Sequence, residues 1–216
     1  MAERRCYLFG MAYPTSISET LADGTVHLLS LGFAIPASIF LMMHAAGQEG
    51  TLTATVIYAV CILASFTASA VYHLLPFDRS RAFLGRVDHA AIYFKIAGTY
   101  TPLVMVIGSG FAYGILGVVW ALAVIGAVAK LWFWRTDARG SLALYLGMGW
   151  LSVLLIYPMW HNLPGAALAL VAAGGLTYSA GTLIYAHPGM RYQNAIWHVF
   201  VLIATACFFA AIALSL

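Results

Sequence analysis

The sequence predicts an all-α fold: a seven-transmembrane-helix bundle, amino terminus cytoplasmic and carboxyl terminus outside. Three observations predict it. Hydrophobic residues make up 63% of the chain and charged residues only 8%, against about 45–50% and about 25% in soluble domains. The apolar residues fall into seven continuous runs. The basic residues collect on alternate connectors between those runs.

A spanning helix needs roughly 20 mostly apolar residues. The runs at 25–46, 51–77, 84–107, 111–134, 141–160, 165–187 and 192–216 reach or approach that length. Their connectors are short and rich in turn residues, such as GQEG at 47–50, GSG at 108–110 and NLPG at 162–165. The runs are apolar all round and do not alternate over roughly ten residues, which excludes a transmembrane β-barrel. Residues 1–24 read as a polar cytoplasmic segment and 25–216 as the membrane domain. In the polar segment, Ser16 and Glu19 have capping-box spacing, so SISETLAD predicts a short interfacial helix. Arg4 and Arg5 precede a polar stretch, so no cleavable signal is expected.

Orientation follows from charge. Arg4, Arg5, Arg79, Arg81, Arg86, Lys130, Arg135, Arg139 and Arg191 all fall on one side of the predicted bundle, which makes that side cytoplasmic. Only Lys95 lies inside a span. The net charge of +3 is small and forms no nucleic-acid patch. Cys6, Cys61 and Cys207 have no paired spacing, which argues against a disulfide framework or a cysteine metal site.

Ionisable residues inside a span are costly and are candidates for function. The second run ends in Ser69-Ala-Val-Tyr-His73, the third opens with Asp88-His89, and the seventh opens with Asn194-Ala-Ile-Trp-His198. At 1.5 Å rise per residue, all three segments lie within roughly 10 Å of the cytoplasmic helix ends. Ser69 and His73 share a helix face, as do Asn194 and His198. Such a cluster could hold zinc, which takes imidazole nitrogen and carboxylate oxygen. A water acidified there could attack an amide or ester carbonyl. Asp88 would serve as ligand, orienter or general base, with Ser69 and Asp88 the candidate catalytic residues.

Asp23 and His27 are also four apart; they either join the cluster or serve the end of the first helix. His89 faces elsewhere and reads as a structural or supporting group. His187 stands in a turn beside Pro188 and would reach the cluster only if that turn folded inward. Pro36 and Pro102 lie inside spans, with Thr99, Tyr100 and Thr101 available to their freed carbonyls or to a cavity. Gly174, Gly175, Ser179 and Gly181 form a small face suited to close helix packing. Trp132, Trp134, Tyr157 and Trp160 fit interfacial aromatic belts.

The string DHAAIYFKIAGTYTPL at 88–103 resembles the signature of the hemolysin III family, which belongs with the progestin and adipoQ receptors, the adiponectin receptors included. SAVYHLLP at 69–76, YLGMGWL at 145–151, GGLTYSAG at 174–181 and IWHVFVL at 196–202 support the resemblance across nearly the whole chain. It implies seven helices, a cytoplasmic amino terminus and a zinc ion held by the positions of His73, Asp88 and His198. Asn194 stands where the family pattern has a further histidine, and an amide oxygen is a poorer zinc ligand than imidazole. The site either keeps zinc with His73, His198, Asp88 and water, or has lost it. Lys95, two turns from Asp88, is expected to pair with it, directly or through water, bringing positive charge where a metal otherwise would; otherwise it snorkels or faces a water pocket.

The expected function is a zinc-dependent hydrolase of the bacterial inner membrane acting on a lipid amide or ester, ceramide-like by the resemblance. The alternatives are a non-enzymatic lipid sensor or regulator of membrane state, a pore-forming hemolysin-like protein, and an ion or proton pathway. A membrane lipid is the expected partner and nucleic acid is not.

Overall fold

The structure, a computed structural model, describes residues 16–48, 50–75, 78–133, 138–187 and 189–216. The expectations placed on Arg4, Arg5, Cys6, Pro76, Trp134, Arg135 and Pro188 lie outside these residues. Seven helices are long and apolar enough to cross a membrane: α1 (Ile17–Ala45), α2 (Thr51–Leu74), α3 (Arg81–Ile107), α4 (Gly110–Phe133), α5 (Gly140–Asn162), α6 (Gly165–Tyr185) and α7 (Gln193–Ser215). There is no strand among the described residues.

The first helix differs from expectation. It begins at Ile17 instead of near residue 25 and runs 29 residues without a break, about 43 Å at helical rise. The Ser16 hydroxyl caps it by accepting the Glu19 N–H at 3.3 Å and lies 2.9 Å from the Glu19 carboxylate, so Ser16 is the N-cap that the spacing predicts. The helix it opens is α1 itself, and SISETLAD forms no separate helix among the described residues. Hydropathy marks where lipid begins, not where a helix begins. This start places Asp23 on the second turn, one turn before His27. Glu19 also accepts the backbone N–H of Tyr192 at 3.1 Å, at the start of α7. Tyr192 there holds a left-handed φ of 58°.

Turn chemistry matches the sequence where it was legible. Gly108 takes φ 65° after α3, a conformation that glycine reaches without a Cβ clash. Ser109 then caps α4, its hydroxyl accepting the Ala112 N–H at 3.2 Å. α1 packs on α2 and α7, α2 on α3, α3 on α4, and α6 on α7. In lipid, small residues let helix backbones approach. A Cβ on Gly98 of α3 would stand 2.6 Å from Cys61 Cβ of α2, and one on Gly181 of α6 would stand 2.8 Å from Phe200 Cβ of α7. Gly174 meets Phe208 in the same way. Gly175 has open space around it and borders a cavity instead.

Two helices leave regular geometry. α4 widens to a π turn over Ala129–Phe133, and the Arg86 guanidinium donates to the Leu131 carbonyl at 3.2 Å. α5 tightens to 3₁₀ over Leu151–Leu155, a change that alters which carbonyls its own ladder uses. The Tyr100 hydroxyl from α3 lies 2.8 Å from the Met148 carbonyl and donates there, with the Gly149 carbonyl equally near. Around Pro102, Thr101 donates to the Ala97 carbonyl at 2.9 Å and accepts from the Trp120 indole at 3.2 Å.

Candidate metal centre

Four helices bring their polar residues to one end of the bundle. α1 supplies Asp23 and His27, α2 supplies Ser69 and His73, α3 supplies Asp88, and α7 supplies Asn194 and His198; all are buried. Asp23 is the hub. Its Oδ1 accepts from His198 Nδ1 at 2.8 Å, and its Oδ2 lies 3.3 Å from His73 Nδ1. His27 Nε2 stands 3.6 Å from Oδ1. The three imidazoles crowd together, with ring centroids 4.4 Å apart for His27–His198, 4.8 Å for His73–His198 and 5.4 Å for His27–His73.

A carboxylate only accepts, so Asp23 fixes which ring nitrogen of its strongest partner carries the proton. His198 donates through Nδ1, which leaves the Nε2 lone pair free. That Nε2 lies 3.3 Å from the Ser69 hydroxyl. His73 likewise turns Nδ1 towards Asp23 and Nε2 towards Asp88, whose Oδ2 is 3.8 Å away. One carboxylate therefore stands behind two imidazoles, a pattern typical of metal-binding histidines, whose outer nitrogen is oriented by a carboxylate.

The centre fits a cation on two counts. Asp23 Oδ2, His27 Nε2 and both ring nitrogens of His73 are buried without a hydrogen bond, and buried polar atoms are rarely left so. Ligands about 2.0–2.2 Å from one tetrahedral ion stand roughly 3.3–3.6 Å from each other, close to the separations seen here. Asp23, His27 and His198 offer ligand atoms all within 4.8 Å of one another, so this buried group can bind a metal ion. The sequence had left Asp23 and His27 between two roles; the structure puts both in the cluster. The signal was their four-residue spacing, the same as in Ser69/His73 and Asn194/His198.

The other candidates divide. Asn194 is buried one turn before His198. His89 is buried with Nε2 3.4 Å from the Tyr185 hydroxyl, and its carbonyl accepts from Tyr145 at 2.8 Å; these contacts tie α3 to α6 and α5. His187 is exposed, so its turn does not fold inward. A direct Lys95–Asp88 ion pair does not form. Lys95 points instead at aromatic rings, its Nζ 4.3 Å from the Phe66 centroid and 5.5 Å from that of Tyr178. The seven-residue spacing put the two residues on one helix face, but neighbouring helices decide where a long side chain turns.

A cavity of about 550 Å³ runs from this end along α3. Ser69, Asp88 and His198 form its polar end; Leu103, Ile107 and Met159 lie farther on. Asp23, His27 and His73 stand behind that polar end rather than on the wall.

Fold and site together define a multi-pass membrane protein with a buried histidine–carboxylate centre at the head of an apolar cavity. Residues 15–209 match the profile of the family described as Haemolysin-III related, and the chain belongs to that family. It is 34% identical over 197 residues to Hemolysin-3 of Bacillus cereus, covering 89% of this chain and 90% of the relative. The Hemolysin-3 homolog of Bacillus subtilis (strain 168) is also 34% identical, over 90% of this chain and 92% of its own length. The human monocyte to macrophage differentiation factor is 30% identical over 165 residues, 72% of this chain and 67% of that protein, which supports the progestin and adipoQ receptor superfamily. Seven apolar helices and the bacterial relatives make this a multi-pass protein of the bacterial inner membrane.

Proposed function

We infer that the protein is a metal-dependent lipid hydrolase, with zinc the ion that its nitrogen and oxygen donors suit best. One observation carries the reading: the apolar cavity ends on Ser69, Asp88 and His198, and His198 also belongs to the buried group with Asp23 and His27 that could bind a metal ion. His73 Nε2, His198 Nε2 and Asp88 would hold the ion on that edge, with Asp23 fixing both imidazoles from behind. An ion bound there supplies Lewis acidity, which activates a water and polarises a carbonyl. In the alternative set, Asp23, His27 and His198, only His198 borders the cavity.

The chain's own residues do the rest. The apolar wall holds an acyl chain and excludes bulk water, leaving the carbonyl next to His198. Asp88 would accept the proton of the attacking water and return it to the departing amine or alcohol; general acid–base catalysis of this kind contributes roughly 10²–10⁴-fold. Ser69, on the cavity wall, would hydrogen-bond the carbonyl oxygen. The superfamily resemblance adds the substrate class, an N-acyl lipid amide of ceramide type or a related ester. The side chosen by nine basic residues supports a cytoplasmic position for the centre.

The test is release of fatty acid from an N-acyl sphingoid amide and from matched acyl esters by purified protein in nanodiscs, with metal content measured on the same sample. Stoichiometric zinc and chelator-sensitive release, both lost in His198→Ala, are expected. Zinc-loaded protein that releases no acid from either class would overturn the hydrolase and leave a lipid-binding protein that does not catalyse.

A further inference from the structure

Lys95 is a charge that the metal centre does not use. It sits on α3 about two turns, roughly 10 Å, beyond Asp88. It is 94% buried, being 6% exposed, and it borders the cavity. Lys95 takes part in none of the histidine–carboxylate pairs of Asp23 and Asp88, and no carboxylate among the described residues lies within 4.0 Å of its ammonium. Its near neighbours are the faces of Phe66 and Tyr178. Two ring faces attract a cation, by about 0.5–2 kcal/mol each, but offer no acceptor to its three N–H donors. A charged group at this depth is costly unless something polar meets it. The open side of Lys95 is the cavity.

The cavity defines what can meet it. From Lys95 to Ile107 α3 advances about 18 Å. The wall over that length includes Leu103, Ile107, Met159 and Val171. A volume of about 550 Å³ is in the range of sites that hold one ligand, roughly 300–1,000 Å³. The complement is one anionic head on one apolar tail.

We propose that the cavity is a binding site for a long-chain carboxylate, with its head on Lys95 Nζ and its tail running towards Ile107. The carboxylate accepts from the ammonium, and the Phe66 and Tyr178 rings flank the pair and keep water from it. This site does not depend on the metal or on hydrolysis. A fatty acid free in the membrane and one released at the metal centre would occupy it alike.

The experiment uses the full chain in non-ionic detergent, stripped of metal with a chelator, so that failure of the hydrolase reading leaves it untouched. Binding of labelled palmitate is measured by equilibrium dialysis, with methyl palmitate and dioleoyl phosphatidylglycerol as competitors. One palmitate per chain is expected, weakened at least tenfold in Lys95→Met and retained in Lys95→Arg. Methyl palmitate should compete at least tenfold less well than unlabelled palmitate in wild type, and that preference should vanish in Lys95→Met. The methyl-ester comparison in wild type decides the matter even if Lys95→Met fails to fold. Equal affinity for acid and methyl ester in wild type would overturn the proposal. So would unchanged palmitate binding in a folded Lys95→Met, or displacement by the two-chain phospholipid as effective as by palmitate.

Discussion

α3 and α5 have similar lengths and opposite surroundings. In α3, 61% of the membrane-spanning window is buried; in α5 the share is 17%. α3 packs through Ala90, Tyr93, Ala97 and Gly98 and carries Asp88 and Lys95 on faces that neighbours cover. α5 leaves Trp150, Leu154, Tyr157 and Trp160 exposed and breaks into 3₁₀ geometry halfway along. The difference separates two tasks. Imidazoles and carboxylates must be held to fractions of an ångström, and that takes close helix contacts. The cavity needs a wall that leaves space beside α3, and the sparsely buried α5 supplies part of it through Leu142, Tyr145, Gly149 and Met159.

The comparison can be broken or sharpened, beginning with the largest effect. His73→Ala should abolish bound zinc, measured by elemental analysis, whereas His27→Ala should keep it; the reverse result moves the ion to the far side of Asp23. Asp23→Asn should weaken zinc affinity roughly 10–100-fold, the usual effect of removing an orienting carboxylate, while leaving some metal bound at saturating zinc. Gly98→Val in the tight α2–α3 contact should destabilise the protein by about 1–3 kcal/mol, seen as a lower thermal midpoint. Gly175→Ala, in open space beside the cavity, should leave that midpoint almost unchanged. Tyr100→Phe should cost about 1 kcal/mol by removing the donor to the Met148 carbonyl, and loosen α5 by hydrogen exchange.

Much of this was legible in the residues. Span number follows from apolar length, and the common depth of Ser69, His73, Asp88 and His198 follows from counting residues to the helix ends. Asp23 and His27 were harder. Ser16 to Asp23 is polar enough to read as a separate segment, and nothing in hydropathy says that α1 continues through it. Lys95 shows a different limit. Spacing within one helix tells which residues share a face, but the turn of a four-carbon side chain towards Phe66 and Tyr178 depends on α2 and α6. Likewise, the role of Asp23 behind two imidazoles needs α1 placed between α2 and α7.

Glu19 accepts the backbone of Tyr192 and so fastens the first helix to the last. The cluster has the same dependence, since Asp23 and His198 stand near opposite ends of the chain. During synthesis the first six helices can enter the bilayer with their histidines and acids in place and still lack a complete centre. A prematurely terminated chain therefore carries no intact cluster into the membrane, and the cluster closes only when the final segment is threaded in.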